Sequence, residues 1–182
     1  MFAGTGCGPN TINYILGIVK AYTTRVGEGP FPTELKNQTG TEIGKKGNEF
    51  GTVTNRKRRC GWFDAVLVKQ SCITSGINGI ALTKIDVLDQ FKDLYVCVAY
   101  KFNGKKIDYF PTSLLDQIKV KPVYKRLDGW LENTKGIKKW NKLPKNAQKY
   151  IKFIKDYCGV EISSISTSPK REDTILLENP FK

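Results

Sequence analysis

Histidine is absent from the 182 residues, and none of the five cysteines forms a CxxC pair. Without imidazole, the chain has no histidine to act as general acid, general base or metal ligand. Cys7, Cys60, Cys72, Cys97 and Cys158 are scattered. Neither a disulfide framework nor a zinc site is therefore expected, and a reducing cytoplasm is the expected compartment. No apolar run approaches the roughly 18 residues of a membrane span, and the opening MFAGTGCGPN lacks the basic-then-apolar order of a signal peptide. Arginine is scarce as well: only six, at 25, 56, 58, 59, 126 and 171, within a Lys+Arg total of 30.

What is present suits one globular unit with a real core, at 40% hydrophobic content. A net charge of +13 favours anionic partners without saying which. The placement of arginine says more, because half of it lies in Arg56-Lys57-Arg58-Arg59. Guanidinium presents a planar fork matched to carboxylate and phosphate, whereas lysine is a hydrated point charge. The cluster therefore points to oriented anion binding, against the plainer reading of a solvated basic face.

Ile12–Tyr22 carries apolar residues at 12, 15, 16, 18, 19 and 22, a period that predicts a helix. The prolines and glycines of TTRVGEGPFPTEL then force a loop, and Glu42–Phe50 reads as short and polar. Asp64–Ser75 predicts a helix with Asp64 as N-cap, and SGINGIAL turns into a strand. Leu94–Tyr100 is a buried-strand pattern, and Asn103-Gly104 joins it in a hairpin to Lys106–Phe110. Residues 111–146 read as irregular and lysine-rich. Asn146–Cys158 has one apolar face at 147, 150, 151, 154 and 158, with Gly159 as its cap, and Val160–Ile165 is a strand. The fold class this predicts is α/β, a mixed sheet with flanking helices and a β-hairpin.

Thr83-Lys84-Ile85-Asp86 falls at the end of a predicted strand. A carboxylate there can accept from both the ring N–H and the exocyclic amine of guanine while the lysine stem covers the base. Adenine has the wrong donor pattern and would leave the carboxylate unpaired. An ordinary surface strand end is the competing reading. Ser166-Thr167-Ser168-Pro169, small hydroxyl residues after a strand, fit either a base edge or a plain turn. Arg25, beside glycines, fits either a phosphate or a structural ion pair.

Taken in order, YTTRVGEGPFPTEL (22–35), GNEFGTVTNRKRRCGWFD (47–64), NGIALTKIDVLD (78–89), LYVCVAYKFNGK (94–105) and STSPKREDTILLENPF (166–181) resemble the successive C-terminal motifs of the adenylosuccinate synthetase family. Order and spacing both match, so the resemblance spans nearly the whole chain, 1–182, as one C-terminal region. It implies a GTP-dependent ligase that joins IMP and L-aspartate in the purine route to AMP. It also implies an aspartate-binding loop of Thr52, Val53, Thr54, Asn55, Arg56, Lys57 and Arg58. Arg56 would also reach the IMP ribose side, and Arg58 would clamp a substrate carboxylate and approach GTP. Lys84, Ile85 and Asp86, with Ser166, Thr167 and Ser168 opposite, would bind the guanine of GTP. Arg59 and Lys57 remain supporting charge.

Three positions depart from the family pattern: Val53 for threonine, Asn55 for glycine and Ser168 for glycine. Asn55 tolerates a left-handed backbone, Val53 loses a hydroxyl, and Ser168 adds bulk beside the base. The family's phosphate loop, its catalytic Asp and His and its Mg²⁺ ligand have no counterpart here, so no residue of this chain is assigned to catalysis or metal. The resemblance thus implies a partner, a separate N-terminal chain, and a family-like homodimer. The alternatives are an inactive guanine-nucleotide-binding remnant or a basic nucleic-acid-binding domain. Against the latter, the lysines are diffuse and not interleaved with aromatic stacking platforms.

Overall fold

A computed structural model describes residues 2–8 and 11–179. A short helix α1 (Phe2–Thr5) precedes strands β1 (Leu16–Lys20) and β2 (Thr23–Arg25), helix α2 (Gln38–Lys46), and strands β3 (Arg59–Gly61) and β4 (Phe63–Asp64). Helix α3 (Ala65–Ser75) leads into β5 (Gly79–Thr83), and β6 (Phe91–Phe102) and β7 (Lys105–Ile107) form the hairpin. Helix α4 (Leu114–Gln117), β8 (Lys121–Trp130), helix α5 (Lys145–Cys158), β9 (Glu161–Ser166) and β10 (Thr174–Leu176) complete the chain. The class is mixed α/β. One sheet runs β1-β5-β9-β10, parallel but for β10, and a second joins β4, β7 and β8 to the long β6.

Several local predictions hold for visible reasons. Asp64 caps α3 by accepting from Leu67 N at 3.2 Å. Asn103 (φ 48°) and Gly104 (φ 79°) take the left-handed pair that a tight two-residue hairpin needs. All five apolar positions of α5, Ala147, Tyr150, Ile151, Ile154 and Cys158, are buried against the sheets, and Gly159 ends the helix at φ 68°.

Two predictions fail. Ile12–Tyr22 is not a helix: its second half is β1, paired in parallel with β5 from Leu16↔Gly79 to Lys20↔Thr83. Ile15 is tied to Asn78 through both backbone and side chain. Its apolar spacing fits a helical period, but Ile18 and Val19 are β-branched, and a partner strand decides between the two periods. Residues 111–146 are not irregular throughout, since β8 pairs with β6 for most of its length. Its lysines and Pro122 mask the strand pattern. Both suit a strand with one hydrogen-bonded side free. Helix α2 also escaped notice because its inward face is Gly40, Ile43 and Gly44, nearly without side chains. Its cap is Asn37, whose Oδ1 accepts from Gly40 N at 3.2 Å.

The main core lies where the sheets meet α3 and α5, and Trp130, Tyr22, Tyr150 and Phe63 are its largest buried side chains, while Tyr100 anchors a smaller second cluster with Val66, Cys97 and Val120. Thr83 and Ser166, at the C-terminal ends of the adjacent parallel strands β5 and β9, thereby come side by side. In open parallel sheets this is where ligands bind. Among the described residues, no helix is long and apolar enough to cross a membrane.

Candidate functional site

At the end of β5 the chain turns through Lys84 in a left-handed conformation (φ 60°, ψ 38°) into a 3₁₀ turn, Ile85–Leu88. The turn is pinned across the sheet by Lys84 N donating to Ser166 Oγ at 3.1 Å. A cleft of about 570 Å³ opens there, walled by Thr83, Lys84 and Asp86 on one side and Ser166, Ser168 and Pro169 on the other. Two segments some eighty residues apart in the chain thus form one cavity. Ile85 and Thr167 do not line it. Ile85 is fully buried, and Thr167 Oγ1 is used on the carbonyls of Ile137 and Asp173. Ser168 points its hydroxyl at Asp173 Oδ2, 2.7 Å away, so its extra atoms are taken up by the wall.

The Asp86 carboxylate has no side-chain hydrogen-bond or ion-pair partner among the described residues. Burial raises its pKa above the usual aspartate range, and nearby Asp89 adds to this against Lys135 and Lys84. Its own backbone N–H donates to it, which partly offsets the shift, and the carboxylate lines the cleft with acceptor capacity to spare. Asn48 and the cationic Lys46, Lys170 and Arg171 also line the cavity, which gives it a positive rim.

The same cavity is continuous in sequence with the loop that follows. Residues 51–57 are closed by Gly51 N to Arg56 O and Asn55 N to Gly51 O, both 2.9 Å, and by Arg58 N to Glu49 O, also 2.9 Å. Asn55 does take the left-handed backbone (φ 53°). Val53 is 96% exposed. Thr54 Oγ1 accepts from Arg56 N at 3.4 Å, and the Arg56 side chain, 72% exposed, has only Glu28, at 3.7 Å, as an ion-pair partner among the described residues.

The four basic residues divide after Lys57. Arg58 donates to Glu49 Oε2 at 2.9 Å. Arg59 grips both oxygens of Glu34 at 2.8 and 2.7 Å, bonds the carbonyls of Gly27 and Gly29, and lies over the Phe31 ring. It is a brace for the 27–34 loop. Arg59's hydrogen bond lowers the Glu34 pKa, burial opposing it. Arg25 is likewise a brace, donating to the Pro30 carbonyl.

Glu49 was the residue that sequence reasoning passed over. It is fully buried and accepts from Lys20 Nζ (2.9 and 2.8 Å), Tyr22 Oη (2.5 Å), Lys84 Nζ (2.9 Å) and Arg58 Nη1 (2.9 Å). Burial alone would raise its pKa, but the bonds from Lys20, Tyr22, Lys84 and Arg58 together hold it down at about 2. Its signal was faint, a lone acid seven residues before the arginine-rich run, because its partners are spread over 65 positions.

A family model described as adenylosuccinate synthetase matches residues 1–175. The chain belongs to the adenylosuccinate synthetase family. The structure of fully ligated adenylosuccinate synthetase from Plasmodium falciparum superposes on it with a TM-score of 0.91 and 38% sequence identity, covering 97% of this chain and 43% of that one. The chain thus spans less than half the length of that adenylosuccinate synthetase. Among the described residues, no three His, Cys, Asp or Glu side chains converge as a metal site.

Proposed function

We propose that this chain supplies the guanine pocket and the aspartate loop of a GTP-dependent ligase that joins IMP to L-aspartate. The observation that carries the reading is the single cleft formed by Lys84 and Asp86 from one strand end and Ser166 and Ser168 from another, inside a fold shared with the family. Asp86 accepts from the ring N–H and the exocyclic amine of guanine, and the Lys84 stem covers the base. Arg58 forks onto a carboxylate of aspartate, Thr54 donates its hydroxyl to it, and Arg56 reaches the IMP ribose. The 52–57 loop places the aspartate amine for attack. The γ-phosphoryl of GTP goes to the 6-oxygen of IMP, and the amine then displaces phosphate at that carbon. Each charge-assisted bond contributes about 1.5–3 kcal/mol, and orienting the nucleophile lowers the barrier further.

The rest of the catalytic machinery belongs to another part of the enzyme, and the fold offers a seat for it. β1 is the outer strand of a parallel sheet, with Ile18 76% and Leu16 41% exposed. Beside it runs an apolar groove of about 370 Å³ that includes Phe63, Leu67, Val68 and Ile77. Parallel strands are normally covered on both faces, and we assign this cover to the portion of the family's fold that the chain does not span. Mixing the chain with an N-terminal family portion should restore adenylosuccinate formation from IMP, GTP, aspartate and Mg²⁺, and Arg58→Leu should abolish it. GTP binding without turnover in that mixture would favour the remnant reading. Equal, salt-sensitive binding of GTP and ATP would sink the guanine site.

A further inference from the structure

Four side chains from three stretches of the chain converge on Glu49, and two of them, Lys84 and Arg58, belong to the two ligand sites proposed above. A buried ion pair is weak evidence of a stabilising role, since an apolar cluster often does as well. This cluster has another property. Three cations on one carboxylate leave two positive charges in excess beside the cleft, and the Lys84 ammonium is also held by the Gly47 carbonyl at 2.6 Å. Two of its three donors are therefore fixed on protein acceptors, and what Lys84 has left for the cleft is its apolar stem.

We infer that Glu49 is a positioning residue for the guanine site: it holds the Lys84 ammonium away from the base so that the stem forms one face of the pocket. Its second oxygen, on Arg58, ties the start of β3 behind the dicarboxylate loop to the same point. The inference rests on the guanine reading and names what makes that site selective. The carboxyl's low pKa keeps the anchor ionised at any pH where the protein works.

The test is a double-mutant cycle on the full chain, with GTP and ATP affinities from calorimetric titration and folding checked by thermal unfolding. Glu49→Gln should weaken GTP binding by about ten- to a hundredfold and narrow the preference over ATP. In a Lys84→Met background the same substitution should weaken GTP by less than about threefold, because the group it acts through is gone. Equal losses in both backgrounds would show a merely structural role and overturn the inference, as would an unchanged GTP affinity in folded Glu49→Gln. Should Glu49→Gln fail to fold, Lys84→Met decides alone. It should lose about tenfold at most and still prefer GTP, and equal binding of GTP and ATP would overturn the inference. If the unsubstituted chain bound no GTP, the guanine reading would fall and this inference with it, which distinguishes the two failures.

Discussion

Lys84 is fixed by a buried carboxylate, a carbonyl and a serine hydroxyl, whereas the Arg56 side chain, in the aspartate-loop segment, has among the described residues only an exposed Glu28 at 3.7 Å. The two regions belong to the two proposed ligand sites, and they are built in opposite ways. The difference follows from what each is proposed to bind. Discriminating guanine from adenine requires an acceptor and a flat apolar cover in fixed relation, so the geometry must precede the ligand. A small dicarboxylate is gripped by charge-assisted forks that tolerate rearrangement, and a loop that moves lets it enter. The boundary falls within Arg56-Lys57-Arg58-Arg59, between Lys57 and Arg58.

That contrast can be broken most forcibly at its anchor. Glu49→Ala leaves Lys20, Lys84 and Arg58 facing one another without their counter-ion, and should cost about 3–5 kcal/mol of folding stability in urea denaturation. A loss under 1 kcal/mol would mean the two regions do not differ in rigidity. The effect should also depend on pH. The folded pKa of Glu49 is depressed to about 2, so its contribution is present above the ordinary carboxylate pKa and is lost as pH falls toward 2. The Ala variant should lack that part of the acid transition.

Asp86 should behave with the reverse sign. Its pKa is raised by burial, so folding is favoured by its protonation while guanine binding needs it ionised. GTP affinity should therefore fall on acidification at a higher pH than an ordinary aspartate would allow. A GTP affinity flat from pH 8 to about pH 4 would remove Asp86 from the site.

On the loop the effects should be smaller. Asn55 holds a left-handed backbone, so Asn55→Ala should cost about 1–2 kcal/mol while Asn55→Gly should be close to neutral, as read from thermal midpoints. Val53, almost fully exposed, should tolerate Val53→Ala within about 0.5 kcal/mol. A larger stability loss there would show that the loop is packed, and would erase its contrast with the cleft.

Local chemistry was enough for part of this protein. The hairpin at Asn103-Gly104, the buried face of α5, the Asp64 cap and the strand-end position of Thr83-Lys84-Ile85-Asp86 all depend on neighbours within a few residues, and each was legible. At Asn55 the resemblance, through the family's glycine, raised a left-handed backbone that Asn tolerates, and the residue takes it. What tertiary structure alone decided involves partners far apart in the chain. Ile12–Tyr22 fits two periods, and only the backbone of β5 selects the strand. β8 carries charge and proline that hide its pattern until β6 pairs with it. Arg59 read as loose charge until Glu34 was beside it, and Glu49 read as one acid among 17 Asp+Glu. A carboxylate acquires its meaning from the cations around it, and Lys20, Tyr22, Arg58 and Lys84 reach Glu49 only once β1, β3 and β5 have assembled.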